Sequence, residues 1–385
     1  VSFDDDQIDL SALKATAYNH RWAEAPDGVI PLTAADSDFG APPIVRAALS
    51  AYAQRGHFGY APPFGLPEFR SAVASFFSTR RDAAVPAEHI MATNGAASAV
   101  FLAARTVIAP GTSALVPDPC DFLLPASIEA AGGRVVRYPV VAGRALQMSD
   151  LESLIDSSTS AIFLCNPHNP LGFCHTAAEI DAVLALARAR NLAVISDEVW
   201  SDIVFPPARF TSALARLQDG DRLLVIGGFS KSYALAGLRT GFLATGDANL
   251  AARAGELSRQ ALTVDGAGTA GQVAAVAALE GCGDWLQSYL AFLQARRDQC
   301  IAALAPVVGG PLRTPDATHV LLVPLPAGCT DAEAVAATMM SEHKVAVVPG
   351  TERWFGPAAR GHFRISYATS ERILADALTR IVRAF

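Results

Sequence analysis

The sequence contains no Cys-x-x-Cys pair. Its six cysteines, Cys120, Cys165, Cys174, Cys282, Cys300 and Cys329, are scattered, which excludes a paired-cysteine zinc site and supplies no disulfide framework. The eight histidines have no metal-ligand spacing, so no metal is expected. Reduced, mostly buried thiols in a cytoplasmic protein are the expected state. Charge is sparse too: Asp, Glu, Lys and Arg make up 17% of the chain, mixed in sign, with net charge −7. No basic block or basic–aromatic interleaving marks a nucleic-acid surface. No apolar run reaches the length of a membrane span, so neither nucleic acid nor membrane is an expected partner. There is no Ser/Gly-rich linker and no internal repeat. The chain opens at Val1 with no signal-peptide pattern and no initiator Met. It therefore reads as trimmed, and the trimmed end could conceal a leader or a larger parent chain.

What is present is a chain of 385 residues, 51% of them hydrophobic. That is enough for a large core and roughly two domains. Short apolar runs at 114–116, 161–165, 193–196 and 223–226 are bounded by polar or turn residues. Between them lie helix-like stretches such as 177–190, with Ile180, Val183, Leu184 and Leu186 at helical spacing. This alternation predicts an α/β fold whose mostly parallel central sheet is covered by helices on both faces. Ligands in such folds bind beyond the carboxyl ends of the strands. From about Trp285 the texture changes. A long helical stretch, 285–304, leads to Pro/Gly-rich turns and to strand-like pieces at 319–323 and 363–367, which predicts a second, smaller α/β domain.

The most informative segment is Gly228-Phe229-Ser230-Lys231-Ser232-Tyr233-Ala234-Leu235-Ala236-Gly237-Leu238-Arg239. It follows the 223–226 run. A lysine at a strand end among small residues can be desolvated, which lowers its pKa and exposes a neutral amine nucleophile. An arginine nearby can hold a phosphate through paired hydrogen bonds. Two further segments follow strand-like runs: Leu164-Cys165-Asn166-Pro167-His168-Asn169-Pro170-Leu171-Gly172, and Ala193-Val194-Ile195-Ser196-Asp197-Glu198-Val199-Trp200.

In order and spacing these three segments resemble the fold-type I pyridoxal phosphate (PLP) enzymes, the aspartate aminotransferase superfamily. Two more segments extend the resemblance over most of the chain. Tyr60-Ala61-Pro62-Pro63-Phe64-Gly65-Leu66-Pro67-Glu68-Phe69-Arg70 resembles an early family motif, and Gly361-His362-Phe363-Arg364-Ile365-Ser366-Tyr367 resembles the carboxylate-binding strand. The resemblance implies a large PLP-binding domain at 46–284. A small domain would be formed by 285–385, joined by an N-terminal segment, 1–45. It also implies a homodimer with shared active sites, acting on a small amino-acid substrate.

The resemblance assigns roles residue by residue. Lys231 would carry the cofactor and act as base. Asp197 would keep the pyridine nitrogen protonated, although its own context also suits a helix N-cap. Asn169 would bond the ring 3-oxygen, and it also suits a turn. Gly95, Ala96 and Ala97 would open a helix whose N–H groups receive the phosphate; Arg239 would add charge and Ser230 a hydroxyl. Tyr60 would reach the phosphate of the neighbouring subunit, or be an ordinary half-buried tyrosine. Arg364 would fork onto the substrate α-carboxylate, with backbone near Ala35 closing on it.

Three departures stand out. Asp121 occupies the place of the family's ring-stacking aromatic, so either Phe122 substitutes or the ring meets something unusual. Trp200 stands where many aminotransferases have a tyrosine. Gly228 stands where a phosphate-binding serine is usual. Arg21-Trp22 with Val29-Ile30-Pro31-Leu32, 165–170, 196–202 and Gly283-Asp284-Trp285-Leu286-Gln287-Ser288-Tyr289-Leu290 resemble the cystathionine β-lyase-like branch. The expected reaction is therefore C–S β-elimination from a cysteine thioether, giving thiol, pyruvate and ammonia. The alternative is an aminotransferase acting with a 2-oxo acid. A PLP-binding regulatory protein is the non-enzyme reading, and the presence of Lys231 argues against it.

Overall fold

The computed structural model describes residues 1–385. Its strands are β1 (Ile30–Pro31), β2 (Ile90–Asn94), β3 (Ser113–Asp118), β4 (Arg134–Pro139), β5 (Thr159–Cys165), β6 (Ala193–Asp197), β7 (Arg222–Gly228), β8 (Thr240–Thr245), β9 (Val320–Pro324), β10 (Val345–Ala346), β11 (Val348–Pro349) and β12 (His362–Ser366). Seven form one sheet in the order β2-β8-β7-β6-β5-β3-β4. β8 runs antiparallel to both its neighbours, and the remaining pairs are parallel.

The central strands are apolar throughout because both faces of the sheet are covered. Leu164, Val194 and Val225 pack into one core, while their neighbours Phe163, Ile195 and Ile226 pack into the other. Helices supply the cover. Ala177–Ala189 starts at a capping box, in which Thr176 and Glu179 satisfy each other's backbone N–H. It buries Ile180, Val183, Leu184, Leu186 and Ala187. The predicted α/β architecture is present, and the strand and helix positions read from the sequence lie within two residues of those observed.

A second sheet, β11-β12-β9, is antiparallel. Helices Gly283–Leu304 and Glu371–Arg383 accompany it, the latter burying Ile373, Leu374, Ala377, Leu378 and Ile381 at helical spacing. The early chain is stitched to this late part. β1 pairs in parallel with β10, and Ser366 N donates to Leu32 O at 2.8 Å. Buried Arg21 pairs with buried Asp38, whose Oδ1 also accepts from Trp22 Nε1 at 2.8 Å. No helix is long and apolar enough to cross a membrane.

Candidate active site

Parallel strands bring their carboxyl ends to one edge of the sheet, and a reversed strand brings its beginning there. Asn169 follows β5, Asp197 ends β6, Ser230 and Lys231 follow β7, and Asp121 and Phe122 follow β3. Gly95 follows β2, and Arg239 immediately precedes the reversed β8. Arg364 comes from β12 of the second sheet, and Thr33 to Ala35 from the segment after β1. Between the two sheets these groups bound a cavity of about 600 Å³. Ala35, Ala96, Ala97, Phe122, Asn169, Asp197, Trp200, Ser230, Lys231, Arg239 and Arg364 all line it. A smaller cavity of about 320 Å³ beside Phe64 and Met91 touches none of these residues.

Lys231 is half-buried. Its Nζ donates to Ala35 O at 2.7 Å and stands 5.3 Å from the Trp200 ring centre. Burial lowers its pKa, with Asp36 and Asp121 opposing, so the neutral amine is easier to reach than on a surface lysine. Burial likewise pushes Asp197 up to about 6, against an N–H bond from Val199 at 3.1 Å. Asp197 thus accepts within a turn and also faces the cavity; no helix begins after it, so the helix N-cap reading does not hold.

Asn169 is buried between two charges. Its Nδ2 donates to Asp121 Oδ2 at 2.9 Å, and its Oδ1 accepts from Arg364 Nη1 at 3.4 Å. A carboxylate only accepts and a guanidinium only donates, so these neighbours fix the direction of the amide. Arg364 donates to Thr33 O at 3.0 Å and lies over Phe355 at 5.0 Å. Its Nε has no partner, and burial pulls its pKa to about 10. A buried guanidinium satisfied only by a carbonyl and an amide is a receptor for an anion.

At the other end of the cavity the helix Gly95–Val107 begins, and no side chain caps its first turn. Gly95 has φ +81°, and a Cβ there would lie 2.8 Å from Arg239 Nη2. A Cβ on Gly241 would lie 2.6 Å from Ala96 N. These glycines let the guanidinium and β8 press against the helix start, where orphan N–H groups favour an anion. Gly95 itself does not line the cavity; it makes room for Arg239. An amine, a carboxyl group on the sheet edge and an anion cradle at one end are what PLP requires, and the residues present fit it.

Tyr60 lies elsewhere, 92% exposed and outside this cavity. Phe122 lines the cavity, 39% exposed and edge-on to Trp354 at 5.4 Å. Trp200 is buried, edge-on to His319 at 4.7 Å. Sequence reasoning missed Val347, Val348 and Pro349, which line the wall around Trp354 and Phe355. They carry no motif, and only the apposition of the second sheet brings them in. A stronger signal for Lys231 was available: the chain has just three lysines, and the others, Lys14 and Lys344, sit at the surface.

The family described as aminotransferase class I and II matches residues 27–381. The aspartate aminotransferase of Thermotoga maritima is 30% identical over 358 residues, covering 92% of this chain and 91% of that protein. The arginine–pyruvate transaminase AruH of Pseudomonas aeruginosa is 32% identical over 362 residues, covering 93% and 90%. Among solved structures, N-succinyldiaminopimelate aminotransferase from Mycobacterium tuberculosis superposes with TM-score 0.87 at 25% identity, covering 98% of this chain and 100% of that one. Aspartate aminotransferase from Thermus thermophilus with maleate gives 0.85 at 27% identity, covering 98% and 96%.

These similarities overturn the expectation of C–S β-elimination and of membership in the lyase branch, because the matching proteins are named aminotransferases. The structure accounts for part of the misreading. Trp22 is tied to Asp38, and Trp285, Leu286 and Tyr289 are buried in the core. These four line no part of the cavity and encode packing; the segments 165–170 and 196–202 do reach it, through Cys165, Asn169, Asp197, Val199 and Trp200.

Proposed function

The chain belongs to the class I and II aminotransferases, PLP-dependent enzymes, and on that premise we propose that it transfers the amino group of an L-amino acid to a 2-oxo acid. The observation that carries this reading is the convergence on one cavity of Lys231, Asp197 and Arg364, which has no carboxylate partner within hydrogen-bond reach, beside a helix start that no side chain caps. Bound there, PLP supplies an electron sink for the charge left at the substrate Cα. Lys231 takes the Cα proton as general base. Asp197 holds a proton at the pyridine nitrogen. Asn169 Nδ2 keeps a second hydrogen for the ring 3-oxygen, and Trp200 also lines the cavity. The first turn of Gly95–Val107, Ser230 and Arg239 hold the phosphate. Arg364 receives the α-carboxylate and fixes the Cα–H bond relative to the ring.

The same reading makes the enzyme a cytoplasmic homodimer in which Tyr60 serves the partner's site. Its support is the exposure of Phe58, Tyr60 and Leu262, at 65%, 92% and 72%, apolar surface of the kind a partner subunit would cover. It also divides the chain into a large unit, 46–284, and a smaller one from 1–45 and 285–385, supported by the β1–β10 pairing.

The test is incubation of the PLP-loaded protein with a panel of L-amino acids, with and without 2-oxo acids such as pyruvate. Product that forms only when an acceptor is present is expected. Thiol and pyruvate released from L-cystathionine with no acceptor would overturn the reading.

A further inference from the structure

This inference rests on the reading above. In that reading Lys231, Asp197, Arg239 and Arg364 are each engaged by cofactor or α-carboxylate. His20, at the rim, is exposed and 3.0 Å from Glu24. Asp121 is the charged group left over in the cavity. Its Oδ1 accepts from Leu123 N at 3.1 Å, which is ordinary helix-start chemistry. Its Oδ2 does something else: it reaches a loop 48 residues away and accepts from Asn169 Nδ2 at 2.9 Å. A carboxylate offers about four acceptor positions, so two bonds hold it rigid and leave capacity toward the cavity. The cavity's apolar lining includes Val347, Val348, Trp354 and Phe355, with Trp354 beside Phe122. Once Arg364 has taken the α-carboxylate, no cation of this chain is left in the cavity to meet a second one.

We propose that Asp121 is a specificity-determining residue that selects amino acids whose side chain ends in a cation and rejects dicarboxylic ones. A substrate ammonium or guanidinium would gain a charge-assisted hydrogen bond to a carboxylate already held in place. Its methylene stem would lie along the apolar wall. A side-chain carboxylate would instead be confined beside a like charge away from bulk water. The same exclusion applies to the acceptor, so pyruvate should serve better than 2-oxoglutarate.

The experiment compares kcat/KM of the holoenzyme for L-ornithine, L-arginine, L-norleucine and L-glutamate with pyruvate as acceptor. The basic substrates are expected to exceed glutamate by about tenfold or more. Asp121→Asn keeps the shape and one of the two acceptors: its oxygen can still take one N–H, from Leu123 or from Asn169, while its NH2 replaces the acceptor that met the other. It should reduce the ornithine-to-norleucine ratio by about tenfold, chiefly through KM, and raise glutamate relative to norleucine. Calorimetry of 5-aminopentanoate and glutarate binding to the wild-type holoenzyme reads the same preference without turnover, and the amine should bind more tightly. Equal binding of the two, or an Asp121→Asn variant that scales every substrate equally, would overturn the proposal and leave Asp121 as a support for Asn169 alone. If no amino acid is turned over at all, the aminotransferase reading falls, and the two binding measurements still decide the role of Asp121.

Discussion

Asp197 is held at the end of β6 with its carboxyl raised to about 6 by burial. A raised carboxyl binds more protons in the folded chain than in the unfolded one between about pH 4 and 6. The cofactor-free protein therefore loses stability as pH rises through that window, and the full deficit is present above it. Asp197→Asn is expected to stabilise the cofactor-free protein by about 1–3 kcal/mol at pH 7.5, a gain that fades toward pH 4. Urea unfolding at the two pH values measures it; an unchanged midpoint at pH 7.5 would show that burial does not govern this group. The same variant should lose most PLP-dependent activity, because a neutral amide cannot hold a proton on the ring nitrogen. At this scale much of the site is legible in sequence, since Lys231, Asp197 and Asn169 each sit beside a strand end that local pattern reveals. The Asp121–Asn169–Arg364 chain is not legible: its bonds span 48 and 195 residues, and no local pattern encodes such distances.

Two elements carry the geometry, the helix start at Gly95 and the segment that links Arg21 to Asp38. Gly95→Ala would place a Cβ at positive φ, costing about 1 kcal/mol, and would push on Arg239. The PLP dissociation constant is expected to rise about tenfold, read by fluorescence titration, with little change in the far-ultraviolet spectrum. An unchanged constant would remove this helix from the anion site. The Arg21–Asp38 pair is buried, and Arg21 Nη1 also donates to Ala34 O at 3.3 Å. It anchors the segment whose Thr33 and Ala35 carbonyls hold Arg364 and Lys231. Asp38→Ala leaves a buried guanidinium unpaired, so a loss of about 3–5 kcal/mol is expected in denaturant unfolding. A loss under 1 kcal/mol would mean that water reaches the pair. Arg21-Trp22 was visible in the sequence, but its partner was not, because Asp38 lies beyond an intervening strand.

For the whole molecule, the proposed shared-site dimer has a direct consequence. A Tyr60→Ala variant and a Lys231→Ala variant should each be impaired when pure. Mixed under conditions that exchange subunits, they form hybrids with one intact site, built from the lysine of one chain and the tyrosine of the other. Partial recovery of activity is the expected outcome, read as initial rate after mixing. No recovery, despite exchange shown by sedimentation, would confine each site to one chain.

By itself the sequence determined the alternation of strand and helix, the edge of the sheet at which the candidate site lies, and most of the residues proposed to meet PLP. These follow from local periodicity and from motifs contiguous along the chain. Reaction type was not determined this way: Trp22, Trp285, Leu286 and Tyr289 were among the residues that pointed to a lyase, yet these side chains are buried in packing away from the cavity. Only the tertiary structure brought Val347 and, from the second sheet, Val348 and Arg364 to the same cavity as Lys231, and set Asp121 against Asn169. The physical reason is that the apposition of two sheets is a long-range property of packing, whereas strand ends and turns are fixed by neighbours in sequence.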